Sequence, residues 1–330
     1  MRRQAVKSTI IFALGIALTG SAAAQPRGGE AGYPSRPVRM IVPFAPGGSS
    51  DLVARVLAQH LTSAWGQQVI VDNRPGASGM LGHQIGARAS ADGYTIMLTS
   101  IGPLAVNPIL FKEPGYDPQK SFTPVTLTVS LLNVVVVHPS VPVRSINELI
   151  EYTKARPGQM TFGSSGVGGA GHLAGELFNI MAGVKLVHIP YKGGAPAMLD
   201  LVGGRIHMIF ATLVTALPNV KSGKIRALAV TMKERTSIVP ELPTVSEAGL
   251  PGFEANNWDG MLLPAGTPKA IVAKISRDTG RVLNLPEARE LLSGAGALPT
   301  PGTPEAFAQY LKSEIDKWRD VVQRAGIRAE

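Results

Sequence analysis

Short apolar runs that lead through a tight loop into a helical pattern recur along this sequence, and this repetition restricts its fold. Residues 38–43 are mostly apolar, residues 46–50 read Pro-Gly-Gly-Ser-Ser, and the apolar residues after them return at helical spacing. Residues 69–89 repeat the same order of strand, loop and helix. Alternating strands and helices with short connections predict an α/β protein in which each mostly parallel sheet is covered by helices.

The pattern changes after residue 100, and the change indicates two domains. The extended run at residues 123–138 is too long for an ordinary strand, so we interpret it as a bent segment that crosses between domains. A second α/β set fills residues 146–231, and residues 258–263 form the segment that crosses back to the first domain. A helix with an apolar stripe follows Thr303-Pro304. We expect lobe 1 at residues 36–130 and 257–330 and lobe 2 at residues 131–256, with a ligand site between them.

The first 24 residues have the pattern of a secretory signal peptide. Arg2, Arg3 and Lys7 precede a nine-residue apolar stretch, and three alanines end the segment before Gln25. Nine residues are too few to span a bilayer, which needs about 20 apolar residues. Residues 25–35 are rich in Gly and Pro, and we expect a disordered tether there. The chain should therefore be exported.

Cysteine content and charge exclude several classes of function. The 330 residues contain no Cys, which excludes disulfides, thiolate metal sites and a cysteine nucleophile. The formal net charge is +9, and removing the three positive charges of the leader leaves 9 − 3 = +6. Such an excess steers anionic small molecules towards the protein. No dense Lys/Arg stripe with interleaved aromatic residues is present, so we expect no nucleic-acid partner.

The motifs of common enzyme classes are missing. The sequence contains no H-E-x-x-H zinc motif, no P-loop and no complete G-x-S-x-G elbow, and its six histidines form no i, i+4 pair. We therefore expect no metal, no cofactor and no catalysis. A secreted hydrolase that uses Ser164 or Ser165 with His172 is the enzyme alternative, although no acidic residue that could orient the histidine is evident nearby.

Two glycine-rich loops stand between a strand and a helix, one in each predicted lobe. Residues 44–51 read FAPGGSSD, and residues 163–172 read GSSGVGGAGH. Glycines let a ligand approach the backbone N–H groups at a helix N-terminus, which form a site for an anion. Facing each other across a cleft, the two loops would hold a ligand that carries a carboxylate.

A set of short motifs occurs in order along the chain. They are FAPGGSSD at 44–51, VDNRPGASG at 71–79, DGYT at 92–95, FTPV at 122–125, IPYKG at 189–193, LPTV at 242–245 and AGTP at 265–268. This set resembles the Bug-type substrate-binding proteins of tripartite tricarboxylate transporters, and the resemblance covers nearly the whole exported chain. It implies a two-lobed periplasmic binding protein of the Venus-flytrap, type II-like kind. Such a monomer binds a small carboxylate in the periplasm and delivers it to inner-membrane permease subunits.

The resemblance also implies which residues contact the ligand. Lys192 either neutralises the anion or pairs with a surface acid, and the sequence leaves both roles open. The positions that correspond to the family's binding residues are Phe44, Pro46, Gly47, Gly48, Ser50 and Asp51 in the first loop, Ser164, Ser165, Gly166, Gly168 and His172 in the second loop, and Thr99, Ser100 and Tyr191.

One departure from the family bears on the ligand. Ala211 and Thr212 stand where the family commonly has an acidic residue, which could bind an ammonium group. We therefore expect an acid without an amino group rather than an amino acid. The sequence does not identify the carboxylate, and it leaves open a sensing module that signals to a two-component kinase.

Overall fold

The computed structural model describes residues 32–255 and 257–325. The predicted signal peptide and residues 25–31 of the predicted tether lie outside the described residues. Tyr33 is buried, its ring contacts Trp65 and Tyr94, and its hydroxyl donates to the carbonyl oxygen of Gly93 at 2.7 Å. The folded chain therefore begins before residue 35, where we expected a disordered tether to end, because this aromatic side chain packs on the lobe.

Lobe 1 is built from both ends of the described chain around a six-stranded sheet with the order β11-β4-β10-β3-β1-β2. A 3₁₀ turn at Ala77–Gly79 and a π-helical turn at Gly102–Val106 precede its two shortest helices. Its elements are β1 (Val38–Val42), α1 (Ser49–Trp65), β2 (Val69–Asn73), α2 (Met80–Ala87), β3 (Thr95–Ser100), α3 (Asn107–Leu110), β4 (Phe122–Leu131), β10 (Asn257–Pro264), α8 (Lys269–Leu283), α9 (Pro286–Gly294), β11 (Ala297–Pro299) and α10 (Pro304–Ala325).

Lobe 2 is a continuous segment around a five-stranded sheet with the order β7-β6-β8-β5-β9. The long extended run of the sequence is divided between the two lobes, since β4 ends at Leu131 and β5 begins at Asn133. Its elements are β5 (Asn133–Val137), α4 (Ile146–Lys154), β6 (Thr161–Ser164), α5 (Ala170–Ala182), β7 (Val187–Pro190), α6 (Gly194–Val202), β8 (Met208–Thr212), α7 (Leu213–Lys221) and β9 (Arg226–Val230).

Both sheets are mixed. Most strands of each described sheet run in one direction, as predicted, but β10 and β11 in lobe 1 and β5 in lobe 2 run against it. The reason lies in how the chain enters a lobe. The parallel strands of each lobe have their carboxyl ends at the cleft. The strands β5 and β10 begin at the cleft, because the chain enters each lobe there, and they therefore run antiparallel to their neighbours.

Helices cover both faces of each sheet. In lobe 1, α1 and α8 pack on one face, and the apolar stripe of α10, including Phe307, Leu311 and Trp318, packs on the other against Trp258. In lobe 2, α4 and α5 cover one face while α6 and α7 cover the other. No helix within residues 32–255 and 257–325 has the length and apolar character to cross a membrane.

The two crossings of the chain lie at the bottom of the cleft between the lobes. The N–H group of Leu132 donates to the Gly296 carbonyl at 3.0 Å, and its carbonyl accepts from the N–H group of Leu213. Asn133 begins β5, and Asn257 begins β10. Residues that start these strands are therefore placed where they can contact a ligand between the lobes.

Candidate functional site

A cavity lies between the lobes and is lined from both of them and from both crossings. It encloses about 590 Å³ of empty space, which includes solvent at its mouth. Lobe 1 contributes Phe44, Gly48, Ser49, Ser50 and Ser100 to its wall. None of the described residues that line the cavity is Lys, Arg, Asp or Glu. The wall therefore offers polar groups without a formal charge.

Four helices of the described chain begin at this cavity. Ser49 and Ser50 start α1, Ala170 and Gly171 start α5, and Gly194 starts α6, and all five line the wall. The residue before α7, Thr212, also lines the wall, as does Thr215 in its first turn. The first N–H groups of a helix lack partners within the helix, and the helix dipole makes this end positive.

Side-chain caps do not occupy these helix ends. The N-cap residues of α1, α5 and α6 are Gly48, Gly169 and Gly193, which have no side chain to donate or accept. The Thr212 side chain does not cap α7 either, because its hydroxyl lies 3.2 Å from the hydroxyl of Thr215. The backbone donors of these helix ends are thus left for a bound anion, except that the Leu213 N–H group at the start of α7 already donates to the Leu132 carbonyl.

Two serine hydroxyls of the cavity wall form hydrogen bonds with other groups of the protein. Ser50 Oγ donates to Asp259 Oδ1 at 3.0 Å, and Asp259 is fully buried in β10. Ser164 Oγ donates to the Gly166 carbonyl at 2.9 Å, accepts from the Gly166 N–H group at 3.1 Å, and lies 2.6 Å from His188 Nε2. These bonds fix the hydroxyl positions before a ligand binds.

Two asparagines at the crossings line the cavity, and our sequence analysis did not include them. Asn133 is 1% exposed, and neither its Nδ2 nor its Oδ1 atom has a hydrogen-bond partner among the described residues. Asn257 Oδ1 accepts from the N–H group of Trp258 at 2.8 Å. The signal in the sequence was a single polar residue inside the apolar run of residues 131–137.

Six of the fourteen predicted site residues line the cavity. Thr99 does not: side chains alternate along a strand, so it lies on the opposite face of β3 from Ser100. Asp51 Oδ2 accepts from the Gly47 N–H group and from Arg55 Nε, both at 2.9 Å, and so holds the loop rather than the ligand. The six that line it are Phe44, Gly48, Ser50, Ser100, Ser164 and Ser165.

The remaining predicted residues flank the cavity. Pro46 and Gly47 belong to the loop before α1, and Gly168 donates its N–H group to His172 Nδ1 at 3.0 Å. Gly166 and Tyr191 line a separate groove at the mouth of the cleft, where Lys192 also lies. The Tyr191 hydroxyl donates to Asp200 Oδ2 at 2.7 Å.

The hydrolase alternative pairs a serine of the second loop with His172, but the structure places a different histidine beside Ser164. The histidine beside Ser164 is His188, and His172 stacks on it with ring centroids 3.9 Å apart. Burial lowers the pKa of His172 to about 4, and burial together with the neighbouring His172 lowers the pKa of His188 to about 3. Both rings are therefore neutral near pH 7. The single proton of the Ser164 hydroxyl can go to the Gly166 carbonyl at 2.9 Å or to His188 Nε2 at 2.6 Å, and the tautomer of His188 decides between them.

The described residues show no group of three or more His, Cys, Asp or Glu side chains that could hold a metal ion. Ala211 and Thr212, which replace the acidic position, line the cavity. Behind the wall on the other lobe, the Asp259 carboxylate group accepts from the Ser50 hydroxyl.

Comparison with known proteins gives consistent matches over most of the chain. The sequence profile described as "Tripartite tricarboxylate transporter family receptor" matches residues 53–327. An adipate-bound protein of R. palustris is 38% identical with a TM-score of 0.88, covering 90% of this chain and 99% of that one. The periplasmic binding protein BugD is 38% identical with a TM-score of 0.86, covering 90% and 100%. MatC from Rhodopseudomonas palustris with bound malate is 33% identical with a TM-score of 0.84, covering 88% and 100%.

Proposed function

The chain belongs to the tripartite tricarboxylate transporter receptor family, and we propose that it captures a small dicarboxylate between its lobes and delivers it to a permease. The permease subunits would lie in the inner membrane, and the receptor would work as a monomer in the periplasm after loss of its leader. Two similar proteins of known structure hold adipate and malate, and a binding role requires no catalytic group.

The observation that carries this proposal is the meeting of four helix N-termini in one uncharged cavity. One belongs to lobe 1 and three to lobe 2, so an anion between them touches both lobes. A ligand with one carboxylate directed at α1 and another at α5, α6 and α7 uses all four. Adipate and malate, the ligands of two similar proteins, are both dicarboxylates.

A thermal-shift screen tests the ligand class. The panel contains adipate, malate, succinate, a tricarboxylate, aspartate and glutamate, each beside its neutral amide where one exists. A ligand at 100 times its dissociation constant adds about 2.7 kcal/mol to the free energy of unfolding, which raises the melting temperature measurably. We expect shifts with dicarboxylates and none with neutral amides. A panel in which no acid shifts the melting temperature contradicts the proposed function.

An uptake assay separates delivery from sensing. Deleting the gene should abolish uptake of the labelled acid identified in the screen, and an intact copy should restore it. Unchanged uptake in the deletion strain, with binding retained in the purified protein, would contradict delivery and favour the sensing role.

A further inference from the structure

Asp259 occupies an unusual position directly behind the cavity wall. It lies opposite Ser100 in the pairing of β10 with β3, and its side chain reaches Ser50 at the start of α1. Both serines line the cavity, while Asp259 is 0% exposed. Its backbone carbonyl accepts from Thr128 Oγ1 at 2.8 Å, but its Oδ2 atom has no partner among the described residues. A carboxyl group is thus buried with a single side-chain hydrogen bond.

The direction of that hydrogen bond depends on the proton of Asp259. When the carboxyl is ionised it can only accept, so the Ser50 hydroxyl must donate to it and presents lone pairs to the cavity. When the carboxyl is protonated it can donate to Ser50 Oγ, which frees the Ser50 proton to point into the cavity. A carboxylate ligand also accepts only, so it is repelled by the first arrangement and bound by the second.

We propose that Asp259 is a positioning residue that couples ligand capture to the uptake of one proton from solvent, acting through Ser50. This inference rests on the proposed function, since it supposes a carboxylate at α1. The bound carboxylate and an ionised Asp259 would lie on two sides of one hydroxyl in a buried place. Protonation removes this repulsion and turns Ser50 into a donor at the same time.

Among the residues that the structure describes, no charged group contacts the Asp259 carboxyl in place of the proton. On α8, which packs on the same face of the sheet, Lys274 pairs with Asp278. On α1, Asp51 is held by Gly47 and Arg55, and Arg55 extends towards solvent with 57% of its side chain exposed. β3 and β4 carry no titratable side chain. On α10, Glu314 accepts from Trp258 Nε1, and Trp258 faces the opposite side of β10. Across the cleft on α5, His172 is neutral near pH 7.

The acidity of Asp259 agrees with this geometry. Burial raises the pKa of Asp259 to about 7, against the opposing effect of the hydrogen bond from Ser50. A bound anion beside the same serine raises this pKa further. We therefore expect proton uptake on binding above about pH 7, where Asp259 of the free receptor is ionised.

Calorimetry in buffers of different ionisation enthalpy measures this uptake. The probe is adipate, with malate as the substitute if adipate gives no shift in the screen, and titrations are run between pH 6.5 and pH 8.5. We expect uptake that approaches one proton per ligand at pH 8.5 and is smaller at pH 6.5. The affinity should fall by up to about tenfold per pH unit above the pKa, as for any reaction linked to one proton.

Two variants assign the effect. Asp259→Asn is isosteric and cannot ionise, so it should bind the probe with no proton uptake and with an affinity independent of pH. Ser50→Ala should bind about tenfold more weakly at pH 6.5, because it removes the donor to a charged group. The matched control is Asp316→Asn on the exposed face of α10, which should bind and take up protons like the parent.

The outcomes are distinct. Tight binding without proton exchange, or proton uptake that persists in Asp259→Asn, overturns the role of Asp259 while leaving the proposed function in place. Failure of every dicarboxylate to bind the parent at any pH overturns the proposed function, and the role of Asp259 with it.

Discussion

At the residue scale, the cavity offers a ligand polar groups that carry no formal charge. Lys192, the one cation that the sequence placed near the site, lines the groove at the mouth instead. Its carbonyl oxygen accepts from the Ala45 N–H group at 3.1 Å, so this residue contacts the opposite lobe through its backbone. Recognition therefore depends on directed hydrogen bonds, which favour a ligand whose oxygens match their positions.

Asn133 should matter for affinity and not for stability. Because neither atom of its amide has a partner among the described residues, Asn133→Ala breaks no bond within the protein. Its loss should weaken dicarboxylate binding by about 10- to 100-fold, the effect of one hydrogen bond of about 1.5–3 kcal/mol to a charged group. Calorimetry and a melting curve without ligand measure both quantities. Asn284→Ala on the exposed end of α8 is the control, and an Asn133→Ala variant with parental affinity would exclude a ligand contact.

Asp259 should make the free receptor less stable as pH rises. Its pKa is raised from 3.8 to about 7 in the folded state, so the folded chain holds this proton more tightly than the unfolded chain. The stabilisation is present below pH 3.8 and is lost as pH rises to about 7, a change of at most about 4 kcal/mol.

Replacing Asp259 by Asn removes this dependence. Chemical denaturation without ligand should show that Asp259→Asn is more stable than the parent at pH 8, with the difference shrinking towards pH 4.5. Parallel stability curves over this range would show that Asp259 keeps an ordinary pKa.

Site residues could be predicted where their position depends only on the neighbouring strand, loop and helix. Gly48, Ser50 and Ser164 follow from loops between a strand and a helix, where N–H groups and hydroxyls gather. Asn133 lines the cavity because β4 of lobe 1 ends and β5 of lobe 2 begins there. Its place in the site could be predicted only from the arrangement of both lobes. His188 lies beside Ser164 through the pairing of β6 with β7, and no sequence motif joins the two residues.

At the element scale, helices that begin at the cavity define the site. The loops before α1 and α5 carry glycine-rich motifs and were predicted as binding loops. The start of α6 follows the IPYKG motif, in which only Tyr191 was predicted to contact the ligand, and the start of α7 has no glycine-rich motif. Both starts join the cavity because β7, β6 and β8 are neighbours in the sheet. Our sequence analysis did not predict α8, α9 or β11. The strand β11 has only three residues and pairs at the edge of the sheet, so its sequence pattern is short.

A side chain at the start of either α1 or α6 should block the ligand. A Cβ atom on Gly48 would meet only the Ala45 carbonyl at 3.8 Å, and one on Gly194 only Thr215 Cγ2 at 3.9 Å, so the backbone has room for a Cβ atom at both positions. The melting temperature of each variant without ligand checks that it folds. Gly48→Val and Gly194→Val should each weaken dicarboxylate binding at least about 100-fold by excluding the carboxylate from the N–H groups.

The control for this pair is Gly294→Val, where a Cβ atom meets nothing within 4 Å at the end of α9. Gly166, a predicted binding residue of the second loop, is unsuitable for this test because its φ is +137° and a Cβ atom would lie 3.0 Å from Ser78 Oγ. Parental affinity in both Gly48→Val and Gly194→Val would show that the ligand binds elsewhere.

At the scale of the whole molecule, the lobes touch across the cleft. The Ala45 N–H group in lobe 1 donates to the Lys192 carbonyl in lobe 2, beside Gly193, whose φ is +147°. A Cβ atom on Gly193 would come within 3.2 Å of the Ala45 nitrogen, so glycine permits this approach. Two crossings at the bottom of the cleft leave the lobes free to separate at its mouth, which is the expected route for the ligand.

Closure should be visible in solution. Small-angle scattering of the exported chain should give a smaller radius of gyration when the dicarboxylate from the screen is saturating, because the ligand favours the state in which both lobes contact it. The neutral amide of the same acid is the control. A radius that does not change at saturation would contradict capture by closure.

The predicted division of the chain between lobes depends on the long extended run and the return strand, which stand out from the α/β repeat of the sequence. The direction of the crossing strands was not, since β5 and β10 have the same apolar pattern whichever way they run. Their direction follows only from where the chain enters each sheet.

The central claim is that four helix N-termini bind the carboxylates of the ligand, and one comparison of affinities tests it most directly. Calorimetry should be run with a dicarboxylate from the screen and with its diamide, which has nearly the same shape and no charge. At about 0.5–1 kcal/mol for each helix end, the dicarboxylate should bind at least about 30-fold more tightly. Equal affinities for the two compounds would contradict the claim that the site recognises an anion.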